Sequence, residues 1–316
     1  MNYKLKKISG DASFREFYRI KKNNKTSIIV LAKKEKYKNL LVYSAVNKIL
    51  NRNNISSPRL LNNFYNNNMI EITDLGNKSF YNYIKNKKNK FKDYKKLIEI
   101  IIKIQKIKLK KFFLFEKSKI KFEKYTIANL HKESDLFFDW YLKFSSRKNI
   151  GKIKKILKKE LNNIYKKIHF KNTYFVHRDF HASNIMVTKK ALSIIDSQDA
   201  IIGNPLYDVA SLIDDVRIKL PKSLQDSLFN YYILRSKLKT KEKNYIKNDF
   251  DILSVQRNLK ILGIFVRLYK RDKKSNYLKY LPYTWSLIER RMNNPIFNNL
   301  NILFKKYLPK KFKAMI

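Results

Sequence analysis

Between residues 173 and 196 three short apolar runs, "TYFV", "NIMV" and "LSIID", are separated by two polar connections. Runs of four or five residues bounded by turn formers are too short for helices and read as buried strands. The connection "TKKA" folds "NIMV" and "LSIID" into a hairpin, with Val187 near Leu192 and Asn184 near Ile195 or Asp196. The Asn184 amide oxygen and the Asp196 carboxylate then finish at one end of the ladder, where opposed Cβ atoms lie roughly 5 Å apart. Both are hard oxygen donors, the kind that holds Mg2+. The other connection, "HRDFHAS", sets Asp179 just ahead of Asn184, close enough to accept a hydrogen bond from a hydroxyl beside that ion. A carboxylate that orients an attacking hydroxyl, with an Asn and an Asp that hold magnesium on phosphates, is the set of parts phosphoryl transfer needs.

Two other readings fit the same loop. Asp179 and Asn184 can simply cap a turn. In an extended segment His177, Asp179 and His181 would share one face and ligate zinc. The chain has only four His, and His131 and His169 sit in helical stretches without metal-ligand spacing. His177 alone reads as a buried residue that pins the loop.

The 316 residues carry a formal net charge of +46, from 71 Lys and Arg against 25 Asp and Glu. A dedicated nucleic-acid surface would gather Arg into a patch. Here Lys is spread along the whole chain, and Asn, Ile, Tyr and Phe are in excess while Gly and Pro are scarce. An A/T-biased coding sequence produces that pattern, so no nucleic-acid partner is expected beyond nonspecific charge attraction. With no Cys, disulfides and Cys-based zinc sites are excluded and a reducing compartment is expected. The N-terminal "MNYKLKKISG" lacks an apolar signal region, and the most apolar segment, "LIEIIIKIQKI", is too short and too charged to span a membrane. A cytoplasmic protein without a membrane partner is expected; the oligomeric state is open.

Residues 1–35 read as strands, "FREFYRI" and "SIIVLA" forming a hairpin about "KKNNKT". Residues 38–52 read as a helix and "NFYNNNMIEI" as two more strands. From about 78 to 168 the pattern is helical, and helices follow the strands of 173–196 to the end. Strands first and helices afterwards give an α+β class, with a small sheet lobe and a larger helical lobe joined near 70–77. Two further places invite a ligand. Glu133 and Trp140 lie in a helix that could flank a substrate, although Trp140 reads rather as core. In "VQRNLKILGIFVRL" Val255, Leu259, Leu262 and Val266 have core spacing, with Gln256, Arg257 and Asn258 at the helix start.

At this point the sequence resembles the aminoglycoside phosphotransferase/choline kinase-like branch of the protein-kinase fold. "HRDFHASNIM" is similar to that family's catalytic loop, and "IIDSQDAIIGNPLYDVASL" to its metal-binding strand and the segment after it. "GDASFREFYRI", "ITDLGNKSF" and "QRNLKILGIF…YLKYLPYTW…IERRM" resemble the bacterial anomeric kinases of N-acetylmuramate and N-acetylglucosamine. The likeness runs from about 8 to 291. It implies a bilobal kinase-like unit, with an antiparallel N-terminal ATP-binding lobe at 1–75 and a mainly helical catalytic and substrate-binding lobe at 76–316. It implies ATP and Mg2+ as cofactors and a small-molecule acceptor. Asp179 would be the catalytic base, and Asn184 and Asp196 the magnesium ligands. Gly10, Asp11, Ala12 and Ser13 would cover the phosphates and Lys33 would reach them. Adenine would sit at Glu71–Thr73, and Asp208 would be a buried anchor for the catalytic loop. Glu133, Arg257 and Asn258 are the candidate acceptor-binding residues.

The likeness has gaps. Kinase-fold sites pair a strand Lys with a Glu on the next helix. Here Lys33 or Lys34 falls just past the strand, and "NLLVYSAVNKILNRNN" contains no acid. Either Arg15 or Arg19 would reach the phosphates instead, or both lie on a solvated strand face. Ser197 stands where relatives tend to have an aromatic, which reads as a packing change, and Asp199 assists the metal or caps a turn. The missing pair keeps a second function open, a nucleotide-binding pseudokinase or RNA-associated partner protein.

Overall fold

The computed structural model describes residues 4–8, 15–23, 25–32, 37–109, 112–144, 149–236, 238 and 243–308. Five strands, β1 (Lys4–Ile8), β2 (Glu16–Lys22), β3 (Lys25–Leu31), β4 (Leu60–Phe64) and β5 (Met69–Thr73), form one antiparallel sheet in the order β1-β2-β3-β5-β4. Alternation decides which face is buried. Ile28 and Val30 on β3 pair with Ile72 and Ile70 on β5, so all four point to one side. Helix α1 (Tyr37–Arg52) covers that face with Leu40 and Tyr43. Its other flank, Leu41 and Ala45, packs on Phe115 and Ile120 of a hairpin, β6 (Phe113–Phe115) and β7 (Ser118–Ile120), that breaks the helical stretch expected for 78–168. Two helices, α2 (Phe80–Ile84) and α3 (Phe91–Gln105), lie between β5 and β6.

The catalytic-loop region comes later in sequence: β8 (Tyr174–Val176), β9 (Ile185–Val187), β10 (Leu192–Ile194) and β11 (Ile201–Gly203). The expected hairpin forms, with Val187 opposite Leu192 and Ile194 opposite Ile185. β11 pairs with β8 and is a strand the sequence pattern did not reveal.

Two compact units emerge. The first combines residues 1–123 with 174–202, so the sheet and the β9–β10 hairpin share a unit. Backbone hydrogen bonds fasten that hairpin from both sides: Ile194 N–H donates to the Ser56 carbonyl at 2.8 Å and Val187 N–H to the Lys78 carbonyl at 2.7 Å.

The second unit takes residues 124–173 and 203–316 and is helical. It holds α4 (Ile127–Leu136), a π-helical turn at Phe137–Leu142, α5 (Ile150–Tyr165), α6 (Leu206–Ile213), α7 (Lys222–Ser236), α8 (Lys243–Asp272), α9 (Leu281–Arg291) and α10 (Asn298–Tyr307). Val255, Leu259, Leu262 and Val266 are buried as their spacing requires. Gln256, Arg257 and Asn258, expected at the start of a helix, fall in the middle of α8, which begins at Lys243. Gly263 of α8 meets the backbone where α4 passes into the π turn; a Cβ there would stand 2.2 Å from the Leu136 carbonyl carbon. Trp140 is half-buried within that turn, and its neighbour Tyr141 accepts the Trp285 indole N–H at 2.6 Å. Among the described residues no helix is long and apolar enough to cross a membrane.

Candidate active site

Residues 177–184 connect β8 to β9 as a tight loop. His181 N–H donates to the Asp179 carbonyl at 3.1 Å, and Asn184 N–H to the His181 carbonyl at 2.9 Å. The Asn184 side-chain nitrogen donates to the same Asp179 carbonyl at 3.1 Å and stands 3.3 Å from His181 Nε2. With its NH2 end held, Asn184 keeps Oδ1 as an acceptor without a partner among the described residues. His177 is buried, with its ring edge-on to Phe180 at 6.0 Å. Arg178 and Asp196 both adopt left-handed backbone, φ 78° and φ 64°. For residues with a Cβ that conformation is strained.

Ile195 N–H donates to the Asn184 carbonyl at 3.0 Å, so the ladder runs on by one step and brings Asp196 level with the Asn184 end. Gln198 Nε2 donates to Asp196 Oδ1 at 2.9 Å. Burial pushes the Asp196 carboxyl above its ordinary pKa, the nearby Asp179 charge adds to that, and the Gln198 hydrogen bond and the Arg15 charge oppose it. Two carboxylates that repel one another and an amide oxygen form a hard, negative cluster suited to a small divalent cation. The Asp179 carboxylate has no hydrogen bond or ion pair among the described residues. No group of three or more His, Cys, Asp or Glu gathers as a metal cage among the described residues, so His177, Asp179 and His181 do not make the zinc site weighed from sequence. Magnesium does not need such a cage, because it binds through one or two protein groups and substrate phosphates.

The N-terminal elements close on this cluster. Arg15, immediately before β2, is only 7% exposed, and its Nη1 donates to Gln198 Oε1 at 2.9 Å. Its guanidinium carbon lies 5.7 Å from the Tyr43 ring centroid. Burial pushes the Tyr43 hydroxyl up to about 12, so it is a neutral phenol beside the charges. Ser197 donates its hydroxyl to Asn47 Oδ1 at 2.7 Å, both side chains fully buried. Ser197 thus ties the residue after Asp196 to α1 through a side-chain hydrogen bond. Arg19 turns elsewhere: its Nε and Nη2 fork onto the Asp74 carboxylate at 2.6 and 2.9 Å, and Nη1 reaches Asn77 at 2.6 Å. Neither Arg lies on a solvated strand face. Asp199 is exposed and lies 3.7 Å from the Arg178 guanidinium. Sequence reasoning missed Asn47 and Gln198. An amide among the apolar residues of α1, and another in the segment between Asp196 and Asp199, were the available signals.

The other anticipated residues have these places. Gly10, Asp11, Ala12, Ser13 and Lys33 lie outside the described residues. Glu71 bridges Ser27 and Asn62 across the sheet, at 2.5 and 2.7 Å. Thr73 N–H donates to the Arg59 carbonyl at 2.9 Å. In the second unit Glu133 accepts from Tyr207, Gln256 and Lys260 at 3.0–3.1 Å and is a saturated buried hub. Asp208 is buried in the first turn of α6. Arg257 is 5% exposed and its guanidinium makes no hydrogen bond or ion pair among the described residues. Asn258 donates to Ser254 at 3.2 Å, while its buried Oδ1 has no partner.

The model of the phosphotransferase enzyme family matches residues 4–242. The chain belongs to the phosphotransferase enzyme family. It is a phosphotransferase of the small-molecule kinase type. The N-acetylmuramate/N-acetylglucosamine kinase of Pseudomonas aeruginosa is 25% identical over 287 residues, covering 89% of this chain and 81% of that protein. An ethanolamine kinase of Plasmodium vivax superposes with a TM-score of 0.63 at 15% identity, over 94% of this chain and 84% of that one. A spectinomycin phosphotransferase solved with ADP and spectinomycin gives 0.56 at 13% identity, over 96% and 93%. The fold of this phosphotransferase is therefore the protein-kinase-like one, an antiparallel sheet with a larger helical complement.

Proposed function

We propose that the chain transfers the γ-phosphoryl group of ATP to a hydroxyl of an amino sugar of the N-acetylmuramate/N-acetylglucosamine type. The observation that carries this reading is the convergence of Asp179, Asn184 and Asp196 at one hairpin end, with Asp179 and Asn184 Oδ1 unpartnered among the described residues. The curated relative named as such a kinase supports the acceptor class, and the neighbour solved with ADP supports the nucleotide.

Asp179 accepts the acceptor's hydroxyl proton as that oxygen bonds to the γ-phosphorus. The bridging oxygen leaves with the bonding electrons on ADP. Asn184 Oδ1 and Asp196 are the oxygens that would hold Mg2+, which when bound neutralises charge on the phosphates. The strained backbone at Asp196 and the Asn184–Asp179 hydrogen bond keep these groups aimed before substrate arrives. Residues Gly10–Ser13 would cover the phosphates, and adenine would approach the sheet near Glu71–Thr73. Arg257 and Asn258 bring buried polar atoms without partners, and such atoms are costly unless a ligand pairs them. Glu133, already saturated, would act on the acceptor only by orienting Gln256 and Lys260.

The test is ADP release from ATP and Mg2+ with a panel of amino sugars. Asp179→Asn is expected to lower kcat by about 100-fold or more, and Asp196→Ala to abolish turnover. ADP release that is absent with every sugar, or indifferent to both changes, would overturn the reading.

A further inference from the structure

Gln198 lies two residues beyond Asp196, and its side chain is held at both ends. Its Oε1 accepts from Arg15 Nη1 at 2.9 Å, while its Nε2 donates to Asp196 Oδ1 at 2.9 Å and reaches Asp199 Oδ2 at 3.4 Å. A guanidinium only donates, so the amide end that faces Arg15 must be the oxygen and the end that faces the carboxylates must be the NH2. Arg15, 183 positions away in sequence, thus decides which way round Gln198 sits. The Asp196 carboxylate is left asymmetric. Oδ1 carries the Gln198 hydrogen bond, and Oδ2 has no hydrogen bond or ion pair among the described residues. Asn184 is asymmetric in the same sense, because its NH2 is tied to the Asp179 carbonyl and only its Oδ1 remains.

We infer that Gln198 is a positioning residue that holds Asp196 as a one-oxygen metal ligand and so makes the centre prefer Mg2+ to Ca2+. The inference rests on the reading of Asp196 as a magnesium ligand and adds to it the source of the metal selectivity. Mg2+ is small and is satisfied by single oxygens in a compact octahedron, with waters and phosphates filling the other positions. Ca2+ is larger, takes about 6–8 oxygens and readily uses both oxygens of one carboxylate. A donor fixed on Oδ1 withholds that oxygen. It removes a ligand that Ca2+ would use and that Mg2+ does not require. The same hydrogen bond fixes the plane of the carboxylate, which favours the ion with the stricter geometry. Gln198 acts through Asp196 alone, and its own oxygen is already engaged by Arg15.

The experiment measures equilibrium binding of AMP-PNP, a non-hydrolysable ATP analogue, with saturating Mg2+ and with saturating Ca2+, and a melting temperature for each protein. The proteins are the wild type, Gln198→Leu, Gln198→Glu and Asp196→Ala. The wild type is expected to bind the Mg2+ complex more tightly. Gln198→Leu frees Oδ1 and should weaken the Mg2+ complex about 10-fold while the Ca2+ complex holds or tightens, so the preference shrinks by that factor or more. Gln198→Glu keeps the side-chain size but sets an oxygen against Oδ1, and should also shrink the preference. A merely structural role would weaken both complexes alike. That result, a preference unchanged in both Gln198 variants, or a wild type with no preference would overturn the inference. If Gln198→Leu does not fold, the nearly isosteric Gln198→Glu decides it. Asp196→Ala separates the two readings. A preference lost in Asp196→Ala but kept in the Gln198 variants would remove Gln198 and leave Asp196 as the ligand. Affinities indifferent to Asp196→Ala would remove the metal reading itself, and the inference with it.

Discussion

Ser197 and Asn47, 150 positions apart in sequence, share a buried hydrogen bond of 2.7 Å that ties the residue after Asp196 to helix α1. Asn47 also supports the turn after α1, its carbonyl accepting from Ser57 Oγ at 3.0 Å and from Asn51 at 2.9 Å. Ser197→Ala is expected to leave Asn47 Oδ1 buried without its donor. The cost should be about 1–3 kcal/mol in urea unfolding, with a fall in kcat larger than any change in the KM for acceptor. Unaltered stability would show that the bond contributes nothing net.

Gly263→Ala should be among the most damaging single methyl additions in the chain. Its Cβ would stand 2.2 Å from both the carbon and the oxygen of the Leu136 carbonyl and 2.6 Å from Phe137 N. Backbone cannot yield as a flexible side-chain end can, so a loss of about 3 kcal/mol or more is expected. Chemical denaturation measures it directly.

Asp74 predicts an acid-sensitive component of stability. Burial raises its carboxyl, but the Arg19 guanidinium and the Gly76 N–H outweigh that and hold it below its ordinary value. A carboxyl depressed in the folded state stabilises above the unfolded pKa of about 3.9 and loses that contribution as pH falls through the lower folded value. Asp74→Asn should therefore lower stability by about 1–2 kcal/mol near neutrality. The gap from wild type should close only below about pH 4. Melting temperatures across pH 2–7 provide the measurement. Gly76, at φ 84°, is the residue that lets this turn form, so Gly76→Ala should weaken the same ion pair.

Arg257→Gln tests the acceptor-binding candidate of the second unit. The buried carboxylates of the second unit have other partners: Glu133 has Lys260, Asp214 has Arg291 at 2.7–2.8 Å, and Asp249 has the His169 and Phe170 N–H groups at 2.8 and 2.9 Å. A guanidinium left over among them suits an acceptor with an anionic group. The variant should raise KM about 10-fold for N-acetylmuramate, whose lactyl arm bears a carboxylate. It should change KM little for N-acetylglucosamine, which lacks that arm. Equal effects on both sugars would argue against a carboxylate contact.

Much of the fold and the centre of the site could be read from local pattern. The β2–β3 and β9–β10 hairpins have polar turns between apolar runs, and the register that joins Asn184 to Asp196 follows from a four-residue connection. The β6–β7 hairpin was invisible for a physical reason. Its turn residues, Glu116 and Lys117, both take left-handed backbone without the Gly or Asn that announces such a turn. The early part of α8 was equally hidden. Asp249 and Asp251 look like surface residues, and Lys247 one turn earlier fits that look, yet both are buried, because backbone N–H groups, Asn204 and Asn294 from elsewhere in the chain also surround them. The same limit applied to Arg15 and Arg19. Two arginines four positions apart, one just before β2 and one within it, are alike in sequence, and the positions of Asp74 and Gln198 tell them apart.

The first compact unit is built from two separated stretches of chain, and this has a consequence for synthesis. The sheet leaves the ribosome with residues 1–123, but the hairpin that hydrogen-bonds to Ser56 and Lys78 follows only after residues 124–173. At about 5–20 residues per second the sheet waits several seconds for its missing piece. Through that interval the nascent chain exposes apolar surface that the finished enzyme buries, and the abundant lysines around it are well suited to keep neighbouring nascent chains apart.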